Sequence, residues 1–334
     1  MNNEKVYIIA EAGVNHNGSI QIAKKMVDAA VCAGVDAIKF QTFNPEKLVC
    51  RNAKKARYQI ENTESNETQF DMLKSLQLSQ VEFIELKKYC DNNNIDFIST
   101  PFDVESLAFL YKIGVKTIKI PSGEINNYPL LVATGKTMLP VILSTGMSII
   151  DDVNDAIKVL KHNGTKDIVV LQCNTEYPTP YEDANVNSMI FMRDTLKCKV
   201  GYSDHTIGSD VAIAAVAVGA KVIEKHFTLD KTMEGPDHKA SIEPDELCEL
   251  VKSIRNVEKA MGSYNKVVSS SEAKNIDIVR KSIVASKKIN KGEIFTEDNI
   301  TTKRPGNGMS PMKWNDVIGH IAKKDYEEDE MIYE

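Results

Sequence analysis

Two of the chain's six histidines close short apolar runs, His205 in GYSDHT and His226 in EKHFTLD. If those runs are neighbouring strands, the two imidazoles converge on one point. Two neutral imidazoles with positions left open suit manganese, iron, cobalt or zinc rather than calcium. The competing reading has each imidazole capping its own strand end through a hydrogen bond. The other four are weaker candidates: His16 lies in the loop GVNHNG, His238 follows the turn Gly235-Pro236-Asp237, and His162 and His320 read as surface residues. Two lysines are equally out of place. Lys39 and Lys119 interrupt the runs AIKFQTF and TIKIPSG, and a lysine inside an apolar strand is costly unless it meets an anion or a carboxylate. With the hydroxyls of Ser122 and Ser203 nearby, a phosphate or carboxylate ligand is the natural partner. A structural ion pair with Glu11 or Glu224 is the alternative, and a Schiff-base amine is a third reading.

Such residues need a frame that points them at one another. Short β-branched runs recur over 6–11, 36–43, 96–102, 117–123, 140–146, 168–177, 199–206 and 221–228, and most are followed by a helical pattern. Eight strand–helix units in about 260 residues predict a (β/α)8 barrel. A doubly wound dinucleotide-binding sheet would place GxGxxG after its first strand; the chain has EAGVNHNG there, and no GxxxxGK[ST] phosphate loop occurs anywhere. In a barrel the functional groups gather at the carboxyl ends of the strands. Here those ends hold Glu11; Lys39 and Gln41; Thr100; Lys119, Ser122 and Glu124; Thr145; Asn174, Thr175 and Tyr177; Ser203, Asp204 and His205; Glu224 and His226. Residues two apart on a strand share a face. Lys39 with Gln41, Ser203 with His205, and Glu224 with His226 can therefore line one pocket.

The pattern changes after Met261. Residues 262–275 are rich in Ser, Lys and Asn and read as a linker, and from Arg280 onward short strands alternate with Gly/Pro turns. The expected organisation is a barrel over 1–262, a linker over 263–279 and a small domain over 280–334. A domain that small is marginal alone, so docking on a barrel is expected. The 334 residues are 42% hydrophobic and 26% charged, an ordinary globular balance. A formal charge of −6 argues against a nucleic-acid partner, and no apolar stretch has the length of a membrane span. Six cysteines without a CxxC pair read as reduced thiols in a cytoplasmic protein.

Taken in order, YIIAEAGVNHNG, IKFQTF, STPFD, KIPSGE, ILSTGMS, NTEYPTPYEDANVN, GYSDHT, EKHFTLD, GPDHKAS and TKRPGNG resemble the N-acetylneuraminate (sialic acid) synthases, a family that includes legionaminic and pseudaminic acid synthases. The likeness covers essentially the whole chain, and the tail is similar to the antifreeze-like (SAF, β-clip-like) domain. It implies a barrel that binds phosphoenolpyruvate, and a SAF domain swapped onto the partner barrel of a homodimer. The implied reaction condenses phosphoenolpyruvate with an N-acylated hexosamine, phosphate leaving by C–O cleavage. A divalent metal is implied on His205 and His226, Mn2+ first and Mg2+ or Co2+ after it. Phosphoenolpyruvate contacts would come from Lys39, Thr100, Lys119, Ser122, Asn174 and Ser203. Sugar contacts would come from Glu11, Gln41, Tyr177 and Asp237, with Arg304 of KRPGNG reaching the N-acyl group from the partner chain. Glu124 is placed near the reacting carbons, and Glu11 or Glu124 is the expected base. Some members read TN where this chain has Asn174-Thr175, which shifts the amide by one position. The loop 51–69 varies across the family and helps select the sugar. N-acetylmannosamine is the expected sugar; 2,4-diacetamido-2,4,6-trideoxymannose, which leads to legionaminic acid, is the alternative. A Schiff-base lyase and a non-catalytic sugar-binding protein are the remoter readings.

Overall fold

The computed structural model describes residues 5–63 and 67–333, so residues 64–66 of the loop 51–69 lie outside the described part. The chain divides into two compact units, Met1–Gly262 and Ser263–Glu334.

The first unit holds eight parallel strands: β1 (Tyr7–Gly13), β2 (Ala37–Thr42), β3 (Asp96–Pro101), β4 (Ile118–Ile120), β5 (Val141–Ser144), β6 (Ile168–Gln172), β7 (Lys199–Asp204) and β8 (Val222–His226). Their hydrogen-bonded ladder runs β3-β2-β1-β8-β7-β6-β5-β4, and β4 packs beside β3 to complete the ring. This is the (β/α)8 barrel that the eight runs predict. Every strand alternates. Ile8, Ala10, Ile38, Phe40, Val170 and Ile223 belong to the cluster between strands and helices, whereas Ile9, Ala37, Leu171 and Val222 pack inside the ring. The surrounding helices obey the complementary period. Ile150–His162 buries Val153, Ala156, Ile157 and Leu160, and Pro244–Ala260 buries Leu247, Leu250, Val251 and Ile254. Both are the i, i+3, i+4, i+7 stripe of a helix lying on a sheet. Capping boxes fix where two further helices begin, Ser79 with Glu82 ahead of Gln80–Asn92 and Thr68 with Asp71 ahead of Gln69–Leu76.

The second unit is built on an antiparallel pair, β9 (Ser282–Ala285) and β10 (Ile300–Lys303), with Ile283, Phe295, Ile300 and Tyr326 at its centre. The segment expected as a linker over 263–279 contains two one-turn helices, Ser270–Ala273 and Ile276–Val279. Its end is tied into this unit, since Gly306 N–H donates to Asp277 O at 2.7 Å and Arg304 Nε to Val279 O at 2.9 Å. A run of Ser, Lys and Asn carries no apolar period, so these tertiary hydrogen bonds leave no trace in the sequence.

Candidate active site

The barrel interior changes character along its axis, and strand alternation dictates where. Toward the amino ends of the strands the inward side chains are apolar: Ile9, Ala37, Ile98, Ile142, Leu171 and Val222 form one cluster. Two residues further along stand Glu11, Lys39, Thr100, Ser144, Cys173 and Glu224. Lys119 and Ser203 join them, and together they line a cavity of about 360 Å3, the size of a small-molecule site.

Four of these buried groups carry charge. Lys39 Nζ lies 2.7 Å from Glu11 Oε2 and 3.8 Å from Glu224 Oε2, and Lys119 Nζ lies 3.7 Å from Glu224 Oε1. Lys39 also donates to Thr100 Oγ1 at 3.3 Å, and Lys119 to Ser144 Oγ at 2.7 Å. Two cations and two anions cancel, which makes their burial tolerable. Burial alone would lower Lys39, but Glu11 and Glu224 reverse this and hold it above the ordinary lysine range. For Lys119 burial prevails over Glu224 and lowers it. Glu11 is pushed up to about 7 by burial against the pull of Lys39. In Glu224 the two lysines and a hydrogen bond from Ser203 outweigh burial and hold the carboxyl low. The ion-pair and anion-holding readings of the two lysines are therefore not exclusive. An arriving anion competes with carboxylates for lysines that are already in place.

The imidazoles border the same cavity. Ser203 Oγ donates to Glu224 Oε1 at 2.9 Å and lies 3.3 Å from His205 Nε2. His205 Nδ1 stands 2.5 Å from the carbonyl oxygen of Asn174, a contact that requires an N–H, so Nε2 keeps its lone pair. His226 Nδ1 is buried and finds no hydrogen-bond partner among the described residues. The two imidazole centroids are 5.2 Å apart. Tyr177 stacks on His205 at 4.2 Å and meets His226 edge-on at 5.3 Å. Burial pushes His205 down to about 4 and His226 well below the ordinary histidine range. Both rings are neutral at pH 7 and have lone pairs to give, a donor set that fits a divalent transition-series cation. Among the described residues no group of three or more His, Cys, Asp and Glu side chains forms a metal cage, so water or substrate oxygens would have to complete such a shell.

The remaining sequence candidates divide. Gln41 donates to Glu11 Oε1 at 3.3 Å. Ser122 opens a short 3-10 turn, Ser122–Glu124, where its Oγ accepts from Gly146 N–H at 2.9 Å and sits 3.1 Å from Cys173 Sγ. Glu124 accepts from Asn127 Nδ2 at 2.6 Å and is raised by burial. Asp237 borders the cavity and is pushed up to about 6 by burial. Asn174 does not join them. Its Oδ1 accepts from Glu176 N–H at 2.7 Å, and Thr175 lines the cavity in its place. Arg304 lies in the second unit, exposed, with Nε engaged by Val279 O. Thr145 turns back to Leu171 O at 2.8 Å, leaving Ser144 as the inward hydroxyl of β5. Asp204 faces outward and forms a buried 2.8 Å pair with Lys225. Sequence reasoning named Thr175 at its strand end but passed over Ser144 and Cys173, though Ser144 follows Ile142 by two and so shares its face. It also passed over an apolar flank of the cavity: Val14, Leu48, Val49, Met72, Leu73, Leu76 and Phe102.

This geometry has counterparts in known proteins. The NeuB family profile matches residues 26–266, and the SAF domain profile matches residues 280–334. The N,N'-diacetyllegionaminic acid synthase of Campylobacter jejuni is 51% identical over 333 residues, covering 99% of this chain and 100% of that protein. The protein of the same name from Legionella pneumophila is 44% identical over 94% of this chain and 89% of its own. Among solved structures, the sialic acid synthetase of Leptospira borgpetersenii in complex with citrate superposes with a TM-score of 0.73 at 35% identity, over 82% of this chain and 91% of that one. Likeness of this extent in both sequence and structure places the chain in the NeuB family, as a synthase that condenses a sugar with phosphoenolpyruvate.

Proposed function

We propose that the chain condenses phosphoenolpyruvate with 2,4-diacetamido-2,4,6-trideoxymannose, forming diacetyllegionaminic acid and releasing phosphate by C–O cleavage. The observation that carries the chemistry is the set of buried Lys39, Lys119 and Ser203 and half-buried Ser122 bordering one cavity with two neutral imidazoles. The 51% end-to-end likeness to a legionaminic acid synthase supports the choice of sugar. N-acetylmannosamine, expected from the motifs, is the second reading, and the Leptospira structure supports it at 35% identity.

His205 and His226 would hold the divalent cation, Mn2+ in the first instance, whose chemistry there is to polarise the aldehyde oxygen of the open-chain sugar. Lys119, Ser122 and Thr100 hold the phosphate and carboxylate and fix C3 of phosphoenolpyruvate against the aldehyde carbon. C3 attacks, water adds to the cationic C2, and the tetrahedral adduct expels phosphate. Glu11 is suited to take the proton from that water. Its carboxyl titrates near 7, close to where a general base works best, and Lys39 stabilises it at 2.7 Å. Glu124 is the other candidate base. Gln41, Tyr177 and Asp237 face the sugar. Arg304, supplied by the second chain of a homodimer, is proposed to close on the N-acyl group.

Phosphate release from phosphoenolpyruvate, measured with each sugar before and after chelation, tests this reading. Turnover with the diacetamido sugar, abolished by chelation and by His226→Ala, is the expected result. Undiminished turnover of His226→Ala in chelator would overturn the metal assignment.

A further inference from the structure

The helix Gln69–Leu76 turns one stripe toward the cavity. Of its eight residues, those bordering the cavity are Gln69, Met72, Leu73 and Leu76, spaced i, i+3, i+4, i+7. Three are carbon surfaces, continued by Leu48 and Phe102. The first is an amide. Among the described residues no hydrogen bond engages the Gln69 side chain, which is half-buried, while its backbone N–H is anchored on Ala53 O at 3.2 Å.

The helix is held firmly at both ends. The Thr68–Asp71 capping box starts it, and Gln77 just beyond it donates from Nε2 to Phe43 O at 3.0 Å. It also lies tight on the loop after β1. A Cβ at Gly18, where φ is +69°, would come within 2.5 Å of Ser75 O, so only glycine permits the approach. A rigid helix showing one free amide and a carbon wall to a reactive cavity is a device for reading a ligand.

We infer that this helix is the sugar-selecting element of the enzyme. Gln69 pairs with a second acylamido group on the substrate, and Met72, Leu73 and Leu76 receive its methyl and the deoxygenated terminal carbon. The inference rests on the proposed function and deepens it. An amide supplies both a donor and an acceptor, which is what an acylamido group requires at its C=O and N–H. A fully hydroxylated sugar end would instead be desolvated against carbon with no partner for its hydroxyls. The substrate class is therefore a hexosamine with two acylamido groups and a 6-deoxy terminus.

The test uses the full-length chain, the two sugars, and phosphate release to obtain kcat/KM, with thermal midpoint and KM for phosphoenolpyruvate as controls. Wild type is expected to prefer the diacetamido sugar by roughly 100-fold, the scale of discrimination by an apolar pocket. Gln69→Ala, at the half-buried first position of the helix where alanine is well tolerated, is expected to cost about tenfold on the diacetamido sugar and less than about twofold on N-acetylmannosamine, one hydrogen-bonded contact being lost. Leu73→Gln is expected to narrow the preference from the other side by improving N-acetylmannosamine. If wild type keeps the preference while Gln69→Ala lowers both sugars equally and Leu73→Gln leaves the ratio unchanged, the helix is not the reader and the proposed function stands. If wild type prefers N-acetylmannosamine, the proposed sugar falls and this assignment falls with it.

Discussion

Asp237 shows what a single site residue costs the fold. Burial pushes its carboxyl up to about 6, against about 3.9 in an unfolded chain. Between those values the folded state binds the extra proton, so the stability it contributes is complete below about pH 4 and is lost as pH rises through 6. Above that, a carboxylate sits buried with no cation beside it among the described residues, at a cost of roughly 2–3 kcal/mol. Asp237→Asn is expected to raise the unfolding free energy of the ligand-free protein, read from urea denaturation, by up to about 2 kcal/mol at pH 8 and to leave it unchanged at pH 4. Equal midpoints at both values would mean that the carboxyl is solvated. At this scale the sequence was only partly legible. A lysine in an apolar strand announced itself, and so did two histidines at run ends, because those residue types are rare there. The choice between Ser144 and Thr145 was not legible. It turns on one residue of strand phase, and the run 140–146 extends past the ordered strand, which ends at Ser144.

Among the elements, β7 is the most tightly constrained. A Cβ on Gly201 would come within 2.3 Å of Val222 O and 2.7 Å of Leu171 Cδ2, so glycine is required by space alone. Gly201→Ala must push β7 off β8, and Ser203 follows on β7 two residues further along, with His205 just past its end. Overpacking of this kind costs about 1–3 kcal/mol. The variant is expected to unfold at lower urea and, where still folded, to lose most of its turnover because His205 and His226 no longer face correctly. Full activity in the folded fraction would show that the strand absorbs the strain elsewhere. All eight strands were legible as β-branched runs of the right spacing. Beyond Gln69, the last residue of the loop expected to help select the sugar, the helix Gln69–Leu76 was not legible as part of the site, because a stripe of Met72, Leu73 and Leu76 on a capped helix is the signature of ordinary core packing. Only its position at the cavity distinguishes it.

For the molecule as a whole, the buried imidazoles set the acid limit. Burial pushes His16, His205 and His238 down to about 4, from about 6.5 in the unfolded chain, and holds His226 well below the ordinary histidine range. Lowered values place their contribution fully above pH 6.5, and it is lost as pH falls through 4. Glu11 and Asp237 work in the opposite sense over part of the same range. Four groups against two leave acid destabilising, the three rings held near 4 each being worth about 3 kcal/mol. The metal-free protein is expected to show a steadily falling urea midpoint from pH 6.5 to 4.5. A flat profile would mean that these rings are already charged in the folded state. Nothing in the sequence foretold this, since His16 and His238 read as loop residues and only the fold buries them.

The gap in the barrel's ladder has a consequence of its own. Among the described residues no strand hydrogen bonds join β3 to β4, and β4 is only three residues long, so the wall has one joint without a ladder, closed by packing and by the exposed Lys116–Asp96 pair at its edge. Thr100 belongs to one side of that joint, and Lys119 and Ser122 to the other. An anion gripped by all three is a rivet across the weakest seam of the ring. The first substrate to arrive would then do more than wait for the second: it would stop the wall from breathing, so that slow amide exchange in β4 becomes a readout of occupancy and the barrel is stiffest only once it is ready to react.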